Sequence, residues 1–286
     1  MGTFEIIITV LLSLLGAALL IFGTWLFLIA SRRPGEKMKK FARVRYAHRG
    51  LHGDGAEENS ITAFRRAAEA GYGIELDVRL AADGAVVVHH DANLLRVAGI
   101  DKRVIDLSSE ELGKIRLGDT EDTVPTLKEV LKAVDGRVPF LFEIKQDKDE
   151  SGVVDKFLEE IAGYEGEFIV ESFNPYVLKV IRRKRPDILL GMLSAEYTKN
   201  SEFKKNFLFL QLERLRLNFF SRPDFIAYNK TGYRLTVLKV IRKLFKTPVI
   251  AWTAQSLEED KAALENGFCT VIFENYTPAP TVEDKI

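Results

Sequence analysis

The hydrophobic pattern divides the chain at about residue 30. Ile6–Ala30 is apolar apart from Thr9, Ser13 and Thr24, and such a run is long enough to cross a hydrocarbon core of about 30 Å. A cleaved signal peptide is the alternative, but it usually has a basic start and a shorter apolar stretch. Here the residues before the run include the acidic Glu5 and contain no Lys or Arg. We therefore predict a retained transmembrane anchor in residues 1–30.

After a basic linker at residues 31–43, short β-branched runs alternate with amphipathic segments to the end of the chain. This alternation favours an α/β fold, and the length of residues 44–286 suits one TIM-type (β/α)8 barrel. Nine runs qualify as strands for eight barrel positions, and the sequence does not indicate which one lies outside. The runs are Val44–Ala47, Gly73–Asp77, Ala85–His89, Pro139–Ile144, Phe168–Glu171, Ile188–Leu193, Phe225–Tyr228, Val249–Trp252 and Thr270–Phe273.

Local signals mark where helices and turns begin and end. Ser108 with Glu111, Thr126 with Glu129, and Ser256 with Glu259 match capping boxes, and Gly71 is placed to end a helix over residues 60–70. Asp83-Gly84 is a tight-turn signal. Because the connection is too short for a parallel crossover, the chain must fold back here, and a two-residue turn places Asp77 opposite His90.

Charge refines the expected location of the barrel. Lys and Arg together number 41, as do Asp and Glu, so nothing suggests a nucleic-acid partner. The basic residues following the apolar run favour a cytoplasmic barrel on a single-pass cell-membrane protein, and the lone Cys269 agrees with a reducing compartment. The sequence does not indicate an oligomeric state. The basic residues are Arg32, Arg33, Lys37, Lys39, Lys40, Arg43 and Arg45.

Polar residues collect where four predicted strands end, which is where a barrel builds its active site. Strand side chains alternate, so the carboxylates of Glu75 and Asp77 share a face, as do Glu143 and Lys145. Three carboxylates at one barrel mouth would repel each other unless a cation lies between them, and oxygen ligands suit Mg²⁺ or Ca²⁺. Arg49 and Lys145 supply positive charge for a phosphate.

Nine motifs lie in order along residues 45–275: His48-Arg49-Gly50, Glu58-Asn59-Ser60, Glu75-Leu76-Asp77-Val78, Asp83-Gly84, Val87-Val88-His89-His90-Asp91 with Leu94 and Arg96, Pro125-Thr126-Leu127, Glu143-Ile144-Lys145, Ser172-Phe173-Asn174 and Trp252-Thr253. Together they resemble the motifs of the glycerophosphodiester phosphodiesterases, among the phospholipase C-like barrels. The resemblance implies a metal at Glu75, Asp77 and Glu143, and an acid/base pair of His48 and His90. It also implies phosphate binding by Arg49 and Lys145, Asn59 near metal or phosphate, and Trp252 in the glycerol pocket.

Two departures leave the substrate open. Glu57 stands where the family usually has Pro, and Phe273-Glu274 stands where its last strand usually ends in Thr-Asp. Phe203–Phe220 is rich in large apolar residues, and is interpreted either as a barrel helix or as a membrane-facing flap. The expected reaction is hydrolysis of a glycerophosphodiester to glycerol phosphate and an alcohol. The alternatives are lysophospholipase D-type cleavage of a lysophospholipid and a catalytically inactive, membrane-tethered binding barrel.

Overall fold

A computed structural model describes residues 2–33, 35–147, 152–199 and 206–282. The strands are β1 (Tyr46–Ala47), β2 (Gly73–Leu80), β3 (Val86–Val88), β4 (Asn93–Leu94), β5 (Ile100–Arg103), β6 (Phe140–Ile144), β7 (Phe168–Ser172), β8 (Leu190–Ser194), β9 (Phe225–Asn229), β10 (Val249–Ala254) and β11 (Thr270–Phe273). The α-helices are α1 (Thr3–Ile29), α2 (Glu36–Phe41), α3 (Ile61–Glu69), α4 (Leu95–Ala98), α5 (Ser109–Leu112), α6 (Leu127–Val134), α7 (Val153–Glu160), α8 (Pro175–Lys184), α9 (Phe207–Glu213), α10 (Thr236–Val240) and α11 (Leu257–Glu265). A π-helical turn (Ile241–Phe245) follows α10, and 3-10 turns are formed by Val104–Asp106, Tyr197–Lys199, Asn218–Phe220 and Lys230–Arg234.

Eight strands close a parallel barrel in the order β1, β2, β6, β7, β8, β9, β10, β11, with β11 returning to β1. The TIM-type fold predicted from the sequence is confirmed. The run outside the barrel is β3, which pairs antiparallel with β2. Strands β4 and β5 form a separate two-stranded sheet.

The predicted pairing across the Asp83-Gly84 turn is wrong by one residue. Val78 pairs with Val88 and Leu80 with Val86, and the amide of Ala81 donates to the carbonyl of Ala85 at 2.9 Å. The turn therefore contains three residues, ending in Gly84 at φ +79°, a common alternative to the two-residue hairpin. The amide of His89, rather than His90, faces the carbonyl of Asp77 at 3.0 Å.

The barrel interior is apolar below the strand ends and is closed at the opposite end by α2. Leu141, Ile169 and Ile250 pack inside the barrel with Met38 and Phe41 of α2, which are 0% and 1% exposed. Met38 and Phe41 are three residues apart and so lie on one helical face. The predicted linker over residues 31–43 thus contains a short helix that plugs the barrel.

Two of the predicted capping boxes are present, at Ser108 and Thr126. At Ser256 the hydroxyl accepts from the amide of Glu259, but the Glu259 carboxylate accepts from the amide of Gln255 instead of Ser256. The reciprocal half of that box is therefore missing, because Glu259 also pairs with Lys230. The helix following Ser60 ends before Gly71 as predicted.

Helix α1 is long and apolar enough to cross a membrane by length and composition. Its side chains are exposed along most of its length, whereas Ile29 at its end is buried. The carbonyl of Ile29 accepts from Asn218 Nδ2 at 3.1 Å, and that of Phe27 accepts from Arg222 at 3.2 Å. The carboxyl end of α1 is thus fixed to the connection between β8 and β9.

Candidate active site

Strand register brings the acidic residues to one end of the barrel. Asp77 of β2 pairs with Glu143 of β6, and Glu143 pairs with Glu171 of β7. Glu75 lies two residues before Asp77 on the same strand, so its side chain points the same way. One carboxylate oxygen from each of Glu75, Asp77 and Glu143 lies within 4.8 Å of the others, and all three residues are buried.

Cationic and amide side chains hold these carboxylates in place. Lys145 Nζ lies 3.1 Å from Asp77 and 2.5 Å from Glu143. Arg49 Nε lies 3.5 Å from Asp77, and the Arg49 amide donates to Glu75 at 2.9 Å. Asn59, which is 1% exposed, donates from Nδ2 to Asp77 at 2.9 Å and therefore acts on the site through that carboxylate.

The protonation balance of the carboxylates reflects crowding in a buried space. Burial, reinforced by Asp77 and Glu143, raises the pKa of Glu75 well above its ordinary value, and burial raises the pKa of Glu143 to about 7. Burial alone would raise the pKa of Asp77, but the charges of Lys145, His90 and Arg49 hold it far below its usual range. A bound cation would favour the ionised carboxylates and would therefore oppose the raised pKa values of Glu75 and Glu143.

Both predicted catalytic histidines are oriented by a carboxylate. His48 Nδ1 lies 2.6 Å from Glu274 Oε2, and His90 Nδ1 lies 2.7 Å from Asp91 Oδ1. The hydrogen bond from His48, with His52 nearby, lowers the pKa of Glu274. Asp91 also has a lowered pKa, because hydrogen bonds from His90 and Arg96 outweigh its burial. Since ionised carboxylates only accept hydrogen bonds, each histidine donates from Nδ1 and leaves Nε2 for a substrate proton.

A chain of ion pairs connects His90 to Arg49. Arg96 donates to Asp91 at 2.6 Å and forms two hydrogen bonds with Glu58, at 2.6 and 2.9 Å. Glu58 in turn accepts from Arg49 at 2.8 Å. Because two planar guanidinium groups share the Glu58 carboxylate, the side chains of Arg49 and Arg96 are both restrained, and Arg96 in turn restrains Asp91 beside His90.

These side chains surround a cavity of about 230 Å³. Of the residues proposed from the sequence, Asp77 and Asn59 lie behind the cavity wall and the others line it. Trp252 forms one side, with its ring 5.6 Å from that of Phe173. The lining residues are His48, Arg49, Glu75, His90, Glu143, Lys145, Glu171, Phe173, Leu193, Trp252, Thr253 and Ile272.

Besides Glu58 and Asp91, which lie in the motifs but were given no role, two further acidic residues of the site were not proposed from the sequence. Glu171 lines the cavity at 1% exposure, and its Oε2 has no hydrogen-bond partner among the described residues. Burial, with Glu75 and Glu143 nearby, raises its pKa well above the ordinary value. Its position at the end of Phe168–Glu171 could have revealed it. Glu274 was noted only as a departure from a motif, because its contact with His48 spans 226 residues.

The donor set fits a divalent cation. Carboxylate oxygens are the ligands that Mg²⁺ and Ca²⁺ prefer, and the buried cluster of Glu75, Asp77 and Glu143 has three acidic groups beside two cations, Lys145 and Arg49. His89 takes no part in this arrangement. Its Nε2 lies 3.2 Å from the carbonyl of Asn93, and burial lowers its pKa, which favours a neutral structural histidine.

The fold and the site together define a β/α-barrel protein whose functional groups lie at the carboxyl ends of its strands. Residues 48–276 match the glycerophosphoryl diester phosphodiesterase family, and the chain belongs to that family.

Named relatives and solved structures agree with this assignment. The chain is 36% identical over 159 residues to a glycerophosphodiester phosphodiesterase of Caldanaerobacter subterraneus, a match covering 51% of this chain and 65% of the relative. It is 27% identical to human glycerophosphodiester phosphodiesterase 1, over 74% of this chain and 72% of the relative. The match to the first of these relatives thus spans just under two thirds of its length.

The structural matches cover more of the chain. A Thermotoga maritima glycerophosphodiester phosphodiesterase superposes with a TM-score of 0.63 and 27% identity, covering 80% of this chain and 93% of its own. An Oleispira antarctica phosphodiesterase, solved in complex with the product sn-glycerol-3-phosphate, has a TM-score of 0.67 at 22% identity. That match covers 83% of this chain and 95% of the Oleispira chain.

Proposed function

We propose that this protein hydrolyses glycerophosphodiesters to glycerol phosphate and an alcohol, with a divalent cation held by Glu75, Asp77 and Glu143. The observation that carries the proposal is the pair of histidines, His48 and His90, each held at Nδ1 by a carboxylate and each lining one cavity with the acidic cluster. Family membership supports the same reaction.

Each group has a distinct task in the proposed reaction. Arg49 and Lys145 attract and orient the phosphate, and Trp252 packs against the glycerol. One histidine accepts the proton of the nucleophile at Nε2, and the other donates a proton to the leaving alcohol. When bound, the cation supplies Lewis-acid polarisation of a phosphate oxygen. The cavity can hold Mg²⁺ or Ca²⁺, and the carboxylate donor set suits either.

The first nucleophile is proposed to be the glycerol 2-hydroxyl, which gives a cyclic phosphate that water then opens. Direct attack by water is the competing route. Quenched single-turnover samples separate the two, because a cyclic glycerophosphate forms only in the first. Absence of that species would support direct hydrolysis.

The test of the proposed activity is a product assay on glycerophosphocholine, glycerophosphoethanolamine and glycerophosphoglycerol, with and without a chelator. We expect chelation to abolish activity and added Mg²⁺ or Ca²⁺ to restore it. His48→Ala and His90→Ala should each lower kcat by about 10²-fold or more while the fold is retained. His89→Gln, which preserves the donor to Asn93, is the matched control and should keep its activity. Near-normal turnover in either active-site variant would refute the assignment.

A second substrate class, the lysophospholipids, is favoured by a row of aromatic rings leading out of the cavity. Trp252 contacts Phe173, Phe173 contacts Tyr197 at 6.5 Å, and Tyr197 contacts Phe209 of α9 at 5.2 Å. Such an apolar path suits an acyl chain extending from the glycerol site. A lysophospholipid in the same assay tests this candidate, since lysophospholipase D-type cleavage releases the headgroup alcohol and lysophosphatidic acid.

We also propose that residues 1–30 are a retained single-pass anchor and that the barrel, residues 44–286, faces the cytoplasm. The apolar length of α1 and the basic residues after it support this arrangement. Intact mass measurement detects cleavage of the helix. A carboxyl-terminal alkaline phosphatase fusion, which is inactive in the cytoplasm, tests the orientation.

A further inference from the structure

The exposed apolar side chains outside α1 are concentrated on one part of the barrel. Among the described residues, seven large hydrophobic side chains outside α1 are exposed. Four of them, Tyr176, Val180, Phe207 and Leu208, lie on α8 and α9. Phe207 is 75% exposed and Tyr176 57%. Within the Phe203–Phe220 stretch, residues 203–205 lie outside the described residues, and the remaining apolar side chains range from exposed to buried.

The α8 part of this surface is continuous with the docked end of α1, and α9 belongs to the next connection along the barrel. The ring of Phe27 in α1 lies 5.9 Å from that of Phe219, which stacks on Phe220 at 4.2 Å. Phe220 in turn lies 5.0 Å from Tyr176. An unbroken row of aromatic rings therefore runs from the carboxyl end of the apolar helix to the outer face of α8.

Cationic groups accompany the aromatic row. Lys179 lies over the ring of Phe220 at 4.9 Å, and Arg222 lies over Phe27 at 4.5 Å. Neither has a carboxylate partner among the described residues. On α8, Arg183 continues the exposed stripe of Tyr176 and Val180 at helical spacing. Aromatic rings mixed with Lys and Arg side chains that lack carboxylate partners are characteristic of surfaces at the headgroup level of a membrane with anionic lipids.

We infer that Tyr176, Lys179, Val180, Phe207, Leu208 and Phe220, here called the leaflet surface, rest in the headgroup region of the bilayer leaflet next to the docked end of α1. The inference rests on the proposed anchoring of α1. The aromatic path from Phe209 to Trp252 then begins beside the membrane, so a substrate released from the same leaflet reaches the cavity without crossing bulk water.

Site-directed fluorescence quenching in the full-length chain tests the leaflet surface. With Cys269→Ser as background, single cysteines at Leu208, Leu95 and Leu12 carry an environment-sensitive fluorophore in vesicles of phosphatidylcholine and phosphatidylglycerol. Leu208 and Leu95 are matched, at 55% and 53% exposure. Leu95, however, lies in the connection between β2 and β6, three strands away around the barrel. Leu12 reports insertion of α1.

We expect spin-labelled lipid to quench the probe at Leu208 by about twofold or more, as for side chains seated about 5–10 Å into the headgroup boundary. The probe at Leu95 should stay unquenched. If Leu12 is quenched and Leu208 behaves like Leu95, the leaflet surface is refuted and the anchor stands. If Leu208 shifts to shorter wavelength without lipid quenching, a second protein copy covers it, which also refutes the inference. If the probe at Leu12 is unquenched, the proposed anchor and the leaflet surface are both refuted. Hydrolysis of soluble glycerophosphocholine by the same samples tests the proposed enzymatic activity independently of either result.

Discussion

Glu274 is the residue whose contacts add most to the candidate mechanism. One carboxylate oxygen faces His48 at 2.6 Å, and the other accepts from Gln255 at 2.8 Å. His52 Nε2 lies 3.8 Å from the first oxygen. A carboxylate in this position fixes the imidazole ring and stabilises its protonated form as a proton moves, as in other carboxylate–histidine pairs. Glu274 is thus a positioning residue that acts through His48.

We predict that Glu274→Gln lowers kcat by about 10- to 100-fold with little change in KM, because substrate contacts are kept while the charge beside His48 is lost. Glu274→Asp, which preserves the carboxylate, should recover part of the loss. Gln255→Ala removes only the contact to the other oxygen and is the matched control. Equal losses of kcat in all three variants would indicate that the conformation of the loops carrying Gln255 and Glu274, rather than the charge of the Glu274 carboxylate, determines the rate.

Residue-level prediction succeeded where neighbours in sequence share a strand end. Glu75 and Asp77 were placed on one face by alternation alone, and the structure puts their carboxylates together. The Asp77–His90 pairing failed because one extra turn residue shifts the register. Glu58 received no site role, since its bonds to Arg49 and Arg96 depend on how two distant loops meet.

At the scale of elements, the loop following β1 depends on a glycine at a close approach to α3. Gly50 has φ +84°, and a Cβ there would lie 2.8 Å from that of Ala63. The Gly50 position also sets the path of Arg49, whose amide and guanidinium both contact site carboxylates. Two costs therefore fall on any larger residue at position 50: a left-handed backbone and a collision with the helix.

Gly50→Ala is expected to lower the free energy of unfolding by about 2–4 kcal/mol, combining backbone strain with overpacking. Gly53→Ala separates the two contributions, because Gly53 has φ +101° and a Cβ added there would meet no atom of the described residues within 4 Å. It should cost only about 1–2 kcal/mol, the backbone contribution. Chemical denaturation in detergent measures both, and equal destabilisation would show that the contact with Ala63 is unimportant.

Element prediction worked where a signal is local. The nine strand runs all appear as strands, and the Ser108 and Thr126 caps form as expected. Which run leaves the barrel was not predicted, because Ala85–His89 is as apolar as its neighbours. The short return from β2, which makes this run antiparallel, was the signal that could have identified it. The α2 plug was missed, since a six-residue basic segment has too little periodicity to identify a buried face.

For the whole molecule, barrel closure brings together segments far apart in the chain. Arg45, just before β1, donates to Asp260 of α11 at 2.8 and 3.2 Å. It also donates to the carbonyls of Ala279 and Thr281 in the carboxyl-terminal segment. Tyr276 donates its hydroxyl to Asp260 at 3.2 Å. The length of residues 44–286 and the alternation of strand-like and amphipathic segments predicted a closed barrel. They did not identify these contacts, because the partners are more than 200 residues from Arg45 in the sequence and no local pattern marks them.

Asp260→Asn should therefore destabilise the whole barrel. The side chains of Arg45 and Asp260 are only 11% and 2% exposed, and removing one charge of a buried pair leaves the other without compensation, at a cost of about 3–5 kcal/mol. The exposed pair Arg185–Asp187, at 38% and 57% exposure, provides the control, and Asp187→Asn should change stability by at most about 1 kcal/mol. Thermal unfolding in detergent compares the two variants. A loss of stability for Asp260→Asn no larger than that for Asp187→Asn would contradict this prediction. It would mean that apolar packing of Phe273 with Tyr72 and Tyr276 holds β1, α11 and the carboxyl-terminal segment together, rather than this ion pair.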